Sequence, residues 1–302
     1  MFSGLRQAAT LTNLVSFSGI GVHSGIDVSM IIEPAYERHG IVFQRTDVGR
    51  NSLIKLSPSS VQDPNLCTRV VNKYGVSVSV VEHLLAAFRI CGITNALIKI
   101  SAEEVPIMDG SAIEFVNAFK AAGITYQDAY VPAVVVTSPI SISVNNSSLR
   151  LTPSYSQEIT VKVSYERINK VVKDKNEISF DLNGDLREIS RARTFGWVDD
   201  LEKVQAIGLA KGTSLENTVG ILCDGSIANK EGLRNPYELV MHKCLDLIGD
   251  ISVFGYDIIG KIEGINTSHA SNNVLMRRLL EELNCHKVIT AEATFDEDVN
   301  FA

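Results

Sequence analysis

Apolar and polar residues alternate in short runs over residues 8–60, broken by Gly and Pro-Ala turns. This pattern predicts strands such as Val28–Ile32 and Gly40–Gln44. Residues 67–79 continue in the same style, with a hairpin turn near Asn72–Gly75. The period then changes. Ser79-Val-Val-Glu82 has capping-box spacing and predicts a helix that stops near Cys91–Gly92. Ala96–Ile100 reads as a strand. Asp109-Gly-Ser111-Ala-Ile-Glu114 opens a second helix, again at capping-box spacing, which ends near Ala122–Gly123. Thr125–Pro132 reads as a linker. Strands follow over Val134–Ser164, split by turns at Asn145–Ser148 and Thr152–Ser154. Residues 195–230 are mixed, with an amphipathic stretch at Asp200–Ala206. Asn235-Pro236 starts a third helix, with Glu238 at the capping-box position, running toward Ile248–Gly249. A strand at Tyr256–Ile262 and a last helix from about Ser271 to Leu283 complete the series. From Thr290 the chain reads as an acidic, partly ordered tail.

Both halves therefore run strands, helix, strand, helix. His83 precedes Asp109 by 26 residues, and His242 precedes His269 by 27. The parallel predicts a duplicated α+β unit, and the length of 302 residues fits about two domains of ~150.

A formal charge of −7 argues against a general nucleic-acid partner, which would need excess Lys and Arg. The five cysteines form no C-x-x-C pair, so neither a Cys-based zinc site nor a disulfide framework is expected. Reduced thiols in a cytoplasmic protein are the simplest reading. No secretory signal is read at the N-terminus, and no apolar run approaches the ~18 residues of a membrane span.

His242-Lys-Cys-Leu-Asp246 carries the most chemical information. On a helix, positions i and i+4 share one face, so the pair is either two ligands for one metal ion or a surface ion pair. Asp250 continues the stripe if the helix survives Gly249. Glu82-His83 is either a cap and a first-turn histidine, or a general base beside a metal ligand. His269, between a strand and a helix, is either satisfied locally or placed to protonate a leaving amine. His23 lies in a Gly-rich turn that is not a dinucleotide fingerprint. His39 and His286 read as surface residues. No H-E-x-x-H, Walker A or G-x-S-x-G motif occurs.

Seven stretches have one family's order and near-family spacing over about residues 8–285. They are Ser-Gly-Ile-Gly-Val-His-Ser-Gly (18–25), Leu-Cys-Thr (66–68), Ser-Val-Val-Glu-His-Leu (79–84), Val-Pro-Ile-Met-Asp-Gly-Ser-Ala (105–112), Ala-Arg-Thr-Phe-Gly (192–196), His-Lys-Cys-Leu-Asp-Leu-Ile-Gly-Asp (242–250) and Ser-His-Ala-Ser-Asn-Asn (268–273). In these the chain resembles the UDP-3-O-acyl-N-acetylglucosamine deacetylases, zinc amidases of bacterial lipid A biosynthesis.

The resemblance implies an α+β fold of two similar domains, each a β-sheet with two helices, the helix layers packed together between outer sheets. The domains would be residues 1–127, with an insert near 65–80, and 128–302, with an insert near 195–228. It implies a zinc-dependent deacetylase that frees the 2-amino group of a UDP-linked acylated sugar. One Zn2+, or Fe2+ in its place, would be held by His83, His242 and Asp246. Glu82 would be the general base. His269 would be the charged imidazole that protonates the amine, with Asp250 as its partner. Thr194 would steady the tetrahedral intermediate. Lys243 and Phe195 would contact the sugar and phosphate region, joined by Cys67 and His23 among the substrate contacts. Trp197 and Leu201 would line an apolar passage for the acyl chain. Where relatives often have Asp-Phe near the uridine this chain has Ser164-Tyr165, leaving Tyr165 to stack on uracil. Basic residues common at the start of the second domain are replaced by Tyr130-Val-Pro-Ala-Val-Val. The resemblance also implies a monomer, with transient contact at the inner membrane face and no spanning segment. A zinc amidase acting on another N-acetylated glycoconjugate, and a non-catalytic binding protein of the same fold, are the competing readings.

Overall fold

A computed structural model describes residues 5–64 and 66–290. The tail expected after Thr290 lies outside them. The first half runs β1 (Gln7–Leu11), β2 (Val15–Ile20), β3 (Asp27–Pro34), β4 (Ile41–Arg45), β5 (Leu53–Lys55), β6 (Arg69–Val71), β7 (Ser77–Ser79), α1 (Glu82–Cys91), β8 (Ala96–Ile100), α2 (Ile113–Ala122) and β9 (Ile124–Tyr130). The second begins with β10 (Ala133–Val136), β11 (Ile140–Val144), β12 (Ser147–Thr152), β13 (Gln157–Lys162), α3 (Glu166–Val172), β14 (Glu177–Asp181) and α4 (Arg187–Ser190). It ends with β15 (Phe195–Trp197), α5 (Leu201–Ala206), β16 (Val219–Ile221), α6 (Glu238–Ser252), β17 (Asp257–Ile265), α7 (His269–Glu281) and β18 (His286–Ile289).

The duplication read from the sequence is present in the strand pairing. In the first half, β8 lies antiparallel to β3 and parallel to β4, with β2 and β5 outside them. In the second, β17 lies antiparallel to β12 and parallel to β13, with β11 and β14 outside. Helices α1 and α2 flank β8 in the chain as α6 and α7 flank β17. The second sheet is extended by β10, parallel to the start of β17, and by β18 on β10. The fold is α+β, with the helices packed together between outer sheets. α1 lies against α6 and α2, and α6 against α7. Leu84, Leu85 and Phe88 of α1 share one continuous apolar core with Leu245 and Ile248 of α6. Both helices are apolar on most sides, as elements buried between layers must be. No helix among the described residues is long and apolar enough to cross a membrane.

Several local expectations need correction. Ser79 is in β7, paired with Arg69, so it does not cap α1, whose N-cap Val81 makes no side-chain bond. Ser111 bonds Asp109, and α2 begins one residue after Ala112 without a side-chain cap. Glu238 turns its carboxylate to Arg193 and to the Arg234 amide rather than back to Asn235. At Glu238 a tertiary partner takes the group that spacing assigned to a local bond, at Ser111 the neighbouring Asp109 does, and Ser79 is committed to a strand pair. The stretch read as a linker is β9, paired antiparallel with β1. α6 continues one turn past Ile248–Gly249. α7 starts at His269, where Ser268 and Ser271 form a reciprocal cap. The hairpin turn at Asn72–Gly75, with Gly75 at φ 82°, and the stop of α1 at Gly92, φ 74°, are as expected.

Candidate metal centre and active site

Two backbone features bring the halves together. Val80, between β7 and α1, has φ 58°. A positive φ is uncommon for a β-branched residue and marks a strained position held by its surroundings. After it come the N-cap Val81 and then Glu82 and His83, the first two residues of α1. Gly249, in mid-helix, faces the Glu82 backbone so closely that a Cβ there would overlap the carbonyl oxygen. α6 therefore meets α1 backbone to backbone. His242 and Asp246, about two turns and one turn before Gly249, come beside His83.

His83, His242 and Asp246 are all buried, and one potential ligand atom from each lies within 4.8 Å of the other two. His242 Nε2 is 3.3 Å from Asp246 Oδ1, and His83 Nε2 is 3.7 Å from the same oxygen. The imidazoles cross at 85° with centroids 5.0 Å apart. His242 Nδ1 donates to the Ala192 carbonyl at 3.0 Å, so Nε2 carries the free lone pair. Burial pushes the His242 pKa down to about 3, which keeps the imidazole neutral and able to ligate. Burial opposes the charge on Asp246, but His242, Lys243 and His83 together hold its carboxyl well below the usual range. Lys243 Nζ donates to Asp246 Oδ2 at 2.7 Å. Its own burial would lower its pKa, and Asp246 more than offsets this. His83 Nδ1 is buried with no hydrogen-bond partner among the described residues. Two imidazoles and an ionised carboxylate face one another away from water, an arrangement that a bound cation would stabilise. The donor set fits a divalent metal with three protein ligands.

An acid–base group adjoins the triad. His269 Nδ1 is 2.9 Å from Asp250 Oδ2, and its Nε2 is 3.8 Å from Glu82 Oε1. Asp250 also accepts from the Asn272 amide at 2.8 Å and from the Thr68 hydroxyl. The Thr68 N–H donates to Glu82 Oε2 at 3.0 Å. Burial raises the Glu82 carboxyl, against the pull of His269 and His83. Burial would lower His269, yet Asp250 and Glu82 beside it push its pKa up to about 10. The α6 stripe through Asp250 survives Gly249, so metal face and acid–base face lie on one helix.

The remaining expected residues divide into two groups. Phe195 turns its ring toward His242, centroids 6.1 Å apart, and Lys243 Nζ lies 5.7 Å from that ring. Half-buried Cys67 packs with Val22, Val80 and Ile107. Burial and the nearby Glu82 raise its thiol. Tyr165 bonds the Asn266 carbonyl at 3.3 Å and feels the Lys243 charge. Thr194 bonds Gly110 and Val219 through its backbone. Trp197 is not drawn to the triad. The Arg167 guanidinium covers its ring at 3.9 Å and is held by Asp200 at 2.8 Å. Leu201 opens α5 nearby, half-buried. His23 accepts from the Ala210 N–H at 3.4 Å, and Lys211 and Gly212 bond the His23 and Val22 carbonyls. That loop of the first half is thus tied to residues 210–212 of the second.

Thr68, Asn272, Ala192 and the Arg193–Glu238 pair were not assigned roles from sequence. Arg193 is buried and donates to Glu238 at 2.8 Å, which fixes the segment carrying the Ala192 carbonyl. Asn272 stands three residues after His269 on the same helix face, a spacing that could have pointed to it. Thr68 and Ala192 meet their partners only through tertiary packing.

The model of the UDP-3-O-acyl N-acetylglycosamine deacetylase family matches residues 8–281. Among similar curated proteins is the UDP-3-O-acyl-N-acetylglucosamine deacetylase of Myxococcus xanthus (strain DK1622), 40% identical over 286 residues, 93% of this chain and 89% of the relative. The protein of the same name from Syntrophus aciditrophicus (strain SB) is 40% identical over 274 residues, 90% and 86% of the two chains. That from Haemophilus influenzae (strain PittEE) is 37% identical over 285 residues, 94% and 93%.

Proposed function

The chain belongs to the UDP-3-O-acyl N-acetylglycosamine deacetylase family, and on that premise we propose that it hydrolyses the N-acetyl group of UDP-3-O-acyl-N-acetylglucosamine, releasing acetate and the free 2-amino sugar nucleotide for lipid A biosynthesis. The observation that carries this reading is the convergence of His83 on His242 and Asp246, with Glu82 next to it in the chain. These three side chains would hold one divalent ion, zinc or Fe2+; when bound it supplies a Lewis acid that polarises the amide carbonyl and acidifies water.

The chain's own groups do the rest. Glu82 takes a proton from the attacking water, and its burial-raised pKa brings the carboxylate nearer the working range of a base. Charged His269 steadies the developing oxyanion and passes its Nε2 proton to the amine nitrogen as the C–N bond breaks. Asp250 holds the other face of that ring. The Thr194 hydroxyl adds a donor to the oxyanion. Lys243 and Phe195 meet the sugar and phosphate region, Cys67 and His23 lie at its edge, and Tyr165 stacks on uracil. Trp197 and Leu201 line the acyl passage. Residues 1–127 and 128–302 act as the two domains, and the protein works as a cytoplasmic monomer that touches the inner membrane face without spanning it.

The test is release of free amine from UDP-3-O-acyl-N-acetylglucosamine by purified protein, alongside its metal content. One equivalent of divalent metal and loss of both metal and activity in His242→Ala are expected. Wild-type turnover by His242→Ala, or by metal-free protein, overturns the reading.

A further inference from the structure

The segment between β8 and α2 carries a buried acid that the reaction described above does not use. Glu104 is 3% exposed. Its main chain is pinned beside the end of β7, where the Ser79 N–H donates to the Glu103 carbonyl at 2.8 Å and the Val105 N–H to the Ser79 carbonyl at 3.0 Å. Its side chain reaches the loop after β2. Oε1 accepts from the His23 N–H at 2.7 Å and Oε2 from the Ser24 N–H at 2.8 Å. Gly21 makes room for this contact, since a Cβ there would overlap Glu104 Oε2. A carboxylate offers one acceptor to each of two N–H groups, whereas a side-chain amide would turn its NH2 toward one of them.

His23 is thereby held on three sides. Its N–H is bonded by Glu104, its carbonyl accepts from the Lys211 N–H at 3.2 Å, and its ring Nδ1 accepts from the Ala210 N–H at 3.4 Å. A main-chain N–H can only donate, so Nδ1 carries the lone pair and the neutral ring keeps its proton on Nε2. Burial lowers the His23 pKa against the pull of Glu104, and His269 lowers it further, which favours the neutral ring. The loop also packs toward the site. Val22 shares a small apolar cluster with Ile107, with Val80 at the entry to α1, and with Cys67, the neighbour of Thr68.

We infer that Glu104 is a positioning residue for the reaction, holding the His23 main chain so that the ring, clamped against residues 210–211 of the second half, offers a fixed Nε2–H donor to a substrate oxygen. The inference rests on the reading of His23 as a substrate contact. A histidine on a free loop exchanges between rotamers and tautomers and must be ordered when substrate arrives. A donor fixed beforehand avoids that cost.

The test combines Glu104→Gln, Gly21→Ala and His23→Ala in the metal-loaded full chain. Glu104→Gln keeps the size and removes one acceptor. Gly21→Ala leaves Glu104 in place but displaces its carboxylate. Each of these two should lower kcat/KM for deacetylation about tenfold or more, the effect of losing a hydrogen bond to a charged group, with metal content unchanged. Added to His23→Ala, Glu104→Gln should cost nothing further, because a residue that acts through His23 has no other route to the substrate. The nitrogen NMR shifts of the His23 ring give a readout independent of turnover. Wild type should show a protonated Nε2 and a bare Nδ1, and both variants a mixture of tautomers. The proposal is overturned if both variants keep wild-type kcat/KM, if His23→Ala is itself unimpaired, if the Glu104→Gln loss persists in the His23→Ala background, or if neither variant alters the tautomer. Loss of metal from both variants would place the role of Glu104 at the entry to α1 and overturn it equally. Wild-type protein without deacetylase activity would defeat the functional reading instead, and the ring shifts alone would then decide whether Glu104 fixes His23.

Discussion

Gly249 of α6 abuts the Glu82 carbonyl of α1 with no room for a Cβ between them. This contact sets the distance at which His83 meets His242 and Asp246. Gly249→Ala must push the helices apart, an overpacking change that typically costs about 1–3 kcal/mol. Alanine is the better helix former, so propensity alone predicts stabilisation. We expect the opposite, a lower denaturation midpoint together with reduced metal content. A variant as stable as the wild type, with full metal occupancy, would mean that the crossing is not set here.

The Ala192 carbonyl that fixes the His242 tautomer is held in place by its neighbour. Arg193 donates to Glu238 through both its main chain and its guanidinium. Glu238→Gln leaves a buried guanidinium with a weaker partner and frees the 192–195 segment. Loss of outer-shell support typically costs about 10–100-fold in metal affinity. Competition with a chelator measures this, and unchanged affinity would show that Ala192 is held by other means.

Much of this architecture was legible because it depends on period and spacing. The strand Ala96–Ile100 and the helix stop at Gly92 follow from local pattern. The His242–Asp246–Asp250 stripe follows from helix geometry alone. The capping boxes failed because Ser79 is drawn into a strand pair, Glu82 and Glu238 are taken by Thr68 and Arg193, distant in sequence, and Ser111 bonds Asp109 instead of capping α2. The linker reading failed because β9 pairs with β1, more than a hundred residues earlier, which its own composition does not encode. At the site, family resemblance named the ligands and the acid–base residues. The groups that orient them, Thr68 and the Ala192 carbonyl, are visible only once both halves are folded.

Glu82 offers a direct separation of chemistry from metal binding. Its Oε2 is anchored by the Thr68 N–H and its Oε1 faces His269. Glu82→Gln keeps the shape and removes the base. The expected loss is about 10²–10⁴-fold in kcat, with metal content and substrate KM little changed. A variant that loses metal, or one that changes KM alone, would contradict the assigned role.

The His269–Asp250 pair makes a prediction with a definite sign. The folded protein raises the His269 pKa from its ordinary 6.5 to about 10, against the effect of burial, because Asp250 and Glu82 favour the imidazolium. A raised folded pKa means that the native state binds the proton more tightly than the unfolded chain. The resulting stabilisation is complete below pH 6.5 and is lost as pH rises toward about 10. Denaturant midpoints measured across that window should therefore fall with rising pH. Asp250→Asn removes the largest favourable charge and lowers the His269 pKa, so the decline should shift to lower pH and shrink. The same change should move the alkaline limb of the pH–rate profile downward, because the amine can be protonated only while His269 holds its proton. Thr68→Val is a control for shape. It removes one donor to Asp250 and leaves the carboxylate charged, so the limb should stay above that of Asp250→Asn. If Asp250→Asn lowers the rate uniformly and leaves the limb where it was, a group other than His269 sets it.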